Sequence, residues 1–269
     1  MSAPGKPNSL LVNRHIDGWE THFTSGDKLA ALPLAQKSSL FCENRILAGL
    51  PFATYKQLLP HLEHVHLSTG RILYNAGDIP RHAYFPKSGL VSMLSTVEDG
   101  RAIAAALIGN EGMVGVSLVL RAVTVPYQMI VADRVEALRI RGDVLKAEFG
   151  RDLHLQDALL RYTHMVLNQI AHSVACNRFH TVEARLCRWL LVSYDHRRTN
   201  TLNLTQEFLS YLMGVPRTSI TIIAGSLQRA GLIRCGRGRI EIADRKGLES
   251  LSCECYQTVQ EEKNCFLAA

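Results

Sequence analysis

The chain has 269 residues, enough for two domains that each bury a core. Its 47% hydrophobic and 20% charged residues are the proportions of a globular protein and exclude a disordered or fibrous one. No apolar run reaches the length of a membrane span, and Met1 to Pro33 lacks a signal peptide's compact apolar core, so a cytoplasmic protein with no membrane partner is expected.

Residues 1–43 mix Pro, Gly, Ser and charge without periodicity and read as a mobile leader. From Asn44, the apolar positions Ile46, Leu47, Leu50, Tyr55, Leu58, Leu59 and Leu62 predict short helices broken at Pro51 and Pro60. Between Val65 and Ile140 the pattern changes to short runs, namely 65–67, 71–74, 82–85, 89–94, 101–108, 127–131 and 135–140, separated by Gly-, Asn- and Asp-containing turns. Seven short strands at this spacing predict an antiparallel sandwich or jelly roll, within a domain spanning 44–150.

A helical stretch follows from Leu145 to Asn177. Leu160, Thr163, Leu167, Ile170 and Val174 recur at 3-4-3-4 spacing, and Ala158, Tyr162, Met165 and Gln169 widen the stripe. Such a helix must pack on more than its own roll, so residues 151–177 are expected to pair with a second copy of the chain. Another helix is expected over 178–198, with Val182, Leu186, Trp189, Leu190 and Ser193 inward and Arg185 and Arg188 outward, then a polar loop over 195–200.

In the next segment Thr205 is a plausible N-cap, Phe208, Leu209 and Leu212 share a helical face, and Gly214 stops the helix. Pro216 suits the opening of a second helix, with Ile220, Ile223, Leu227 and Ala230 inward before Gly231, and Arg217, Thr218, Ser219, Thr221 and Gln228 outward. A basic hairpin carrying Arg234, Arg237 and Arg239 follows, so residues 178–250 read as a winged helix-turn-helix for DNA. The net charge of +6 agrees, because twelve Lys/Arg against five Asp/Glu lie between 178 and 246. Asp244 to Glu262 reads as one closing helix, leading a helical tail over 251–269.

This order of elements resembles the Crp/Fnr family of bacterial transcription regulators. The residues carrying the resemblance are Gly77-Asp78, Gly89-Leu-Val, Gly112-Met-Val-Gly115, Leu204-Thr-Gln-Glu207, Met213-Gly-Val-Pro-Arg-Thr-Ser-Ile220 and Leu227-Gln-Arg-Ala-Gly-Leu-Ile233. The resemblance implies an α+β chain: an N-terminal cyclic-nucleotide-binding-like β-roll, a long dimerisation helix and a C-terminal winged helix-turn-helix. It implies a homodimer reading a near-palindromic site on double-stranded DNA, with RNA polymerase as a further partner.

Under that resemblance Arg217 matches the guanine-reading arginine, while Thr218 and Ile222 stand where many members have a glutamate and a second arginine, so an uncommon half-site is expected. Thr205, Gln206, Pro216, Ser219, Thr221, Arg234, Arg237 and Arg239 complete the expected DNA-binding set. The effector pocket would lie at Gly115, Val116, Ser117, Pro126 and Tyr127. Members that bind cyclic AMP have a glutamate at Val116 and an Arg-Ser pair near Pro126-Tyr127, and this chain has neither, so cyclic AMP is not expected as the effector.

The seven cysteines, Cys42, Cys176, Cys187, Cys235, Cys253, Cys255 and Cys265, follow no disulfide framework and are expected as reduced thiols. Cys42 alone near the amino terminus does not make an iron-sulfur site. His61, His64 and His66 gather at the entry to the roll and read as a solvated face, since no cysteine or further carboxylate cluster is close in sequence, and Cys253-Glu-Cys255 with Cys265 matches no standard zinc spacing. No cofactor, metal or catalytic residue is therefore expected, and no nucleophile elbow, phosphate loop or HExxH occurs. The alternative to a DNA reader is a ligand- or metal-sensing roll whose helix-turn-helix serves protein interaction.

Overall fold

The structure is a computed structural model describing residues 42–197 and 200–268. The expected leader lies outside the described residues except for its last two. Of these, Cys42 is buried in the roll core and Glu43 pairs with Lys87 at 2.9 Å.

Helices α1 (Arg45–Gly49) and α2 (Phe52–Leu58) lead into the roll. Asn44 fixes this entry: its side chain accepts from Leu47 N at 3.2 Å and donates to the Pro86 and Gly112 carbonyls at 2.9 and 2.8 Å. A buried amide satisfied on both sides ties the first helix to the backbone at Pro86 and to the turn at Gly112.

Five strands form the roll sheet: β1 (Glu63–Leu67), β2 (Ile72–Tyr74), β3 (His82–Thr96), β4 (Ala102–Ile108) and β5 (Gln128–Arg141). The order is β1-β5-β3-β4, with β2 also on β5, and every pairing is antiparallel. The seven short strands expected from the sequence reduce to five, because 82–85 joins 89–94 and 127–131 joins 135–140. The β3–β5 register shifts between Pro86 and Val91, so pairing continues through bulges where alternation fails. Gly89 makes this possible: its φ is +78°, and a Cβ there would sit 1.9 Å from the Arg134 carbonyl oxygen.

Beyond β5 the single helical stretch divides into α3 (Gly142–Phe149) and α4 (Leu153–Phe179). Asp152 interrupts it: it takes extended backbone and caps α4 by accepting from Leu155 N at 2.9 Å. Leu155, Leu159, Tyr162 and Val166 of α4 sit in the roll core, and Tyr162 donates to the Met113 carbonyl at 2.8 Å.

Helix α5 (Val182–Arg197) takes up Asp195 and His196, which the sequence placed in a loop. Then come β6 (Thr201–Leu202), α6 (Gln206–Met213), α7 (Arg217–Arg229), β7 (Ile233–Gly236) and β8 (Arg239–Ile242). The second core joins this domain to the roll: Leu90, Leu94, Leu107 and Ile130 of the sheet pack with Leu186, Trp189, Leu190, Leu209 and Leu212. The closing helix is two, α8 (Arg245–Leu251) and α9 (Cys255–Ala268). Ser252 adopts extended backbone and Leu251 is exposed, so the expected stripe from Leu248 to Val259 is broken in the middle.

Candidate nucleic-acid interface

Helix α6 starts where its sequence says, since the Thr205 hydroxyl accepts from Phe208 N at 3.1 Å. It stops at Gly214, which adopts the left-handed conformation with φ 63° and ψ 37°. A side chain at 214 would also meet the Ala102 carbonyl of β4 at 2.9 Å, so glycine serves both the turn and the domain contact. Pro216 takes the cap position, and α7 opens at Arg217. Leu209, Leu212, Ile220, Ala224 and Leu227 are buried between the helices, which orients Arg217, Thr218, Thr221 and Ile222 outward.

The hairpin turns at Arg237-Gly238, where Gly238 supplies φ 65°. Strand β6 adds a third member to this sheet, pairing Thr201 with Glu241 and Leu202 with Ile240. Two residues carry no periodicity, so the sequence offers no sign of it.

Six side chains of interest line one groove between α7 and the hairpin: Thr205, Gln206, Glu207, Arg217, Arg237 and Arg239. Among the described residues Arg217, Arg237 and Arg239 enter no ion pair, so three free guanidiniums face this groove and its surroundings. The free N–H groups at the start of α7 add their positive end.

Other expected members are committed elsewhere. Arg234 pairs with Glu241 at 3.1 Å, Gln228 accepts from Cys235 N at 2.7 Å, and the Thr221 hydroxyl is 2.7 Å from Gln206 Oε1. Ser219 is half-buried and Thr218 and Pro216 are exposed.

On α4 the expected stripe is open where its spacing requires: Leu160, Leu167 and Val174 are 48, 60 and 66% exposed. Thr163 and Ile170 between them are half-buried. In the roll, Gly115 with φ 102° heads a 3-10 turn that buries Val116 and Ser117, while Tyr127 is half-buried and Pro126 exposed. Burial pushes the Tyr127 phenol up, so it stays a neutral hydroxyl.

Residues 64–152 match the cyclic nucleotide-binding domain model, and residues 184–251 match the Crp-like helix-turn-helix domain model. The chain belongs to the Crp/Fnr family. It is 28% identical over 185 residues to the transcriptional regulator SdrP of Thermus thermophilus, covering 67% of this chain and 89% of that protein. Among solved structures, a Crp/Fnr-family transcriptional regulator from Eubacterium rectale superposes with TM-score 0.61 at 21% identity, over 75% of this chain and 94% of its own. FixK2 from Bradyrhizobium japonicum gives 0.60 at 15% identity, over 71% and 98%. At these identities the two structures speak for the fold. This Crp/Fnr chain is a transcription regulator with a helix-turn-helix DNA-binding domain.

Two charged positions of this Crp/Fnr regulator depart from the sequence reading. Arg185 is buried and donates to the Met213 carbonyl at 2.8 Å, so it anchors α6 and is not an exposed cation. Arg188 is only half-exposed, with its Nε buried. Both follow from α5 packing on two sides, against the roll sheet and against the helix-turn-helix, which leaves no fully outward face. Arg245 is also spent, on Asp195 at 2.6 Å, so the basic excess that reaches solvent is smaller than the residue count.

Proposed function

We propose that this regulator is a cytoplasmic homodimer that binds a near-palindromic DNA site, has no catalytic role, and is not controlled by cyclic AMP. The observation that carries it is the groove in which Arg217 of α7 meets Arg237 and Arg239 of the hairpin. With α7 in a major groove, Arg217 reads a guanine and the hairpin arginines hold phosphates. The exposed Leu160, Leu167 and Val174, seven residues apart, are the seam along which two α4 helices pair. Val116, buried and apolar, offers no acceptor for a ribose hydroxyl, so the roll takes a different small molecule or none. Transcription then changes through contact with RNA polymerase.

The test is selection of bound fragments from a random-sequence DNA pool, with and without cyclic AMP. A two-fold symmetric enriched site, unchanged by cyclic AMP, is expected. No enrichment sinks the DNA-reading role, an asymmetric site sinks the dimer, and a cyclic-AMP-dependent affinity sinks the last claim.

A further inference from the structure

The polypeptide leaves α4 at His180 and returns at Cys253 after the whole helix-turn-helix domain. Cys176 and His180, one turn apart at the end of α4, meet Cys253, inside the break between α8 and α9, and Cys255, the first residue of α9. The four ligand-type atoms all lie within 4.8 Å of one another. Cys176 Sγ is 3.6 Å from Cys253 Sγ, and Cys255 Sγ is 3.6 Å from His180 Nδ1. Zinc-ligand bonds of about 2.3 Å to sulfur and 2.0–2.1 Å to nitrogen set tetrahedral edges of roughly 3.5–3.8 Å. We propose that Cys176, His180, Cys253 and Cys255 form a zinc site that clasps both ends of the DNA-binding domain to the end of the long helix.

Four features support a built site. Cys176, Cys253 and Cys255 are buried, and with half-buried Ala184 they make up a small cluster of their own, separate from the two larger cores. The fourth group is oriented: His180 Nε2 lies 3.1 Å from Glu254 Oε1, so a proton on Nε2 leaves the Nδ1 lone pair facing the sulfurs. A carboxylate behind a metal-bound imidazole is the usual way its tautomer and direction are set.

The charge also balances. Three thiolates and a divalent ion leave one net negative charge, and Arg188 acts electrostatically on all three thiols while buried Arg185 acts on Cys176 and Cys253. Finally, the Cys-Glu-Cys segment is where the closing helix breaks, and the non-helical backbone at Cys253 brings its sulfur to the same point as that of Cys255, the first residue of α9. An iron-sulfur cluster needs its ligand atoms further apart than these four are.

The sequence hid this site because its halves lie more than seventy residues apart and fit no standard zinc spacing. The site revises the expectation of a metal-free chain with ordinary thiols. Its consequence is mechanical: closing the 180–253 loop with an ion sets the direction in which α7 is held relative to α4.

The experiment uses the full-length reduced chain, purified without chelators or metal-affinity resin. Zinc near one equivalent per chain is expected by elemental analysis, and cobalt(II) replacing it gives thiolate charge-transfer and tetrahedral d–d bands. Cys253→Ser and His180→Ala lose or shift those bands, and Cys265→Ser, outside the cluster, keeps them. Wild-type protein that holds no zinc and gives no cobalt-thiolate bands overturns the site, as does recovery of Cys176 and Cys253 as a disulfide in place of bound metal.

Discussion

His196 Nε2 lies 2.8 Å from Glu111 Oε2, and both side chains are at most 5% exposed. Lys263 of α9 approaches the same carboxylate oxygen at 3.3 Å, and Glu111 also accepts from Gly109 N at 2.9 Å. One buried carboxylate of the roll therefore joins the DNA-binding domain and the closing helix.

Removing that carboxylate leaves the Lys263 ammonium and the His196 ring without their shared buried partner. Glu111→Gln is expected to cost about 3–5 kcal/mol of stability, measured by denaturant unfolding. A loss within about 1 kcal/mol means the three groups are better solvated than their burial implies.

The same pair gives a pH dependence with a defined sign. Burial would raise the Glu111 carboxyl, but the His196 charge and hydrogen bond, Lys263 and the Gly109 amide outweigh it and hold the group well below the usual carboxylate range. A depressed folded value makes this contribution complete above the unfolded value of about 4.3, and the contribution is lost as pH falls below it. Unfolding of wild type between about pH 6 and pH 3 should show this loss, and Glu111→Gln should lack its share of the slope.

Arg217 stands exposed at the first position of α7. Arg217→Ala should cost about 1–3 kcal/mol on the selected site and much less on random DNA, read by fluorescence anisotropy. Equal losses on both would assign Arg217 to phosphates alone.

Arg237→Ala and Arg239→Ala should weaken specific and non-specific binding alike, each lowering the salt slope by about 1. Arg234→Ala should do less, because Glu241 already neutralises that guanidinium. A larger loss from Arg234 than from Arg237 would mean that the pair with Glu241 opens on DNA.

Leu167 sits in the middle of the α4 seam, 60% exposed in the single chain. Leu167→Asp should convert a dimer to monomers in sedimentation velocity while leaving the roll folded. Unchanged sedimentation would place the self-contact on another surface.

The features legible from the amino-acid order are local ones. The Thr205 cap, the Gly214 stop, the inward Ile220 and Leu227 of α7 and the Arg237-Gly238 turn are each specified by neighbours within a few residues and lie where those rules place them, whereas Ala230, expected inward, is exposed as the C-cap just past the end of α7. The seven-residue recurrence from Leu160 to Val174 is legible for the same reason, since helical spacing fixes a face without any partner.

Features that depend on distant partners emerge with the folded chain. Bulged β3 and β5 run on through the gaps between the expected short runs, because pairing across the sheet outlasts a local break in alternation. Arg185 is inside because α5 is packed on two sides, a fact its own helical face does not carry. Glu111 and His196, and the four residues at the base of the DNA-binding domain, are brought together by chain reversals spanning tens of residues. Their chemistry arises from that juxtaposition and has no counterpart in spacing along the chain.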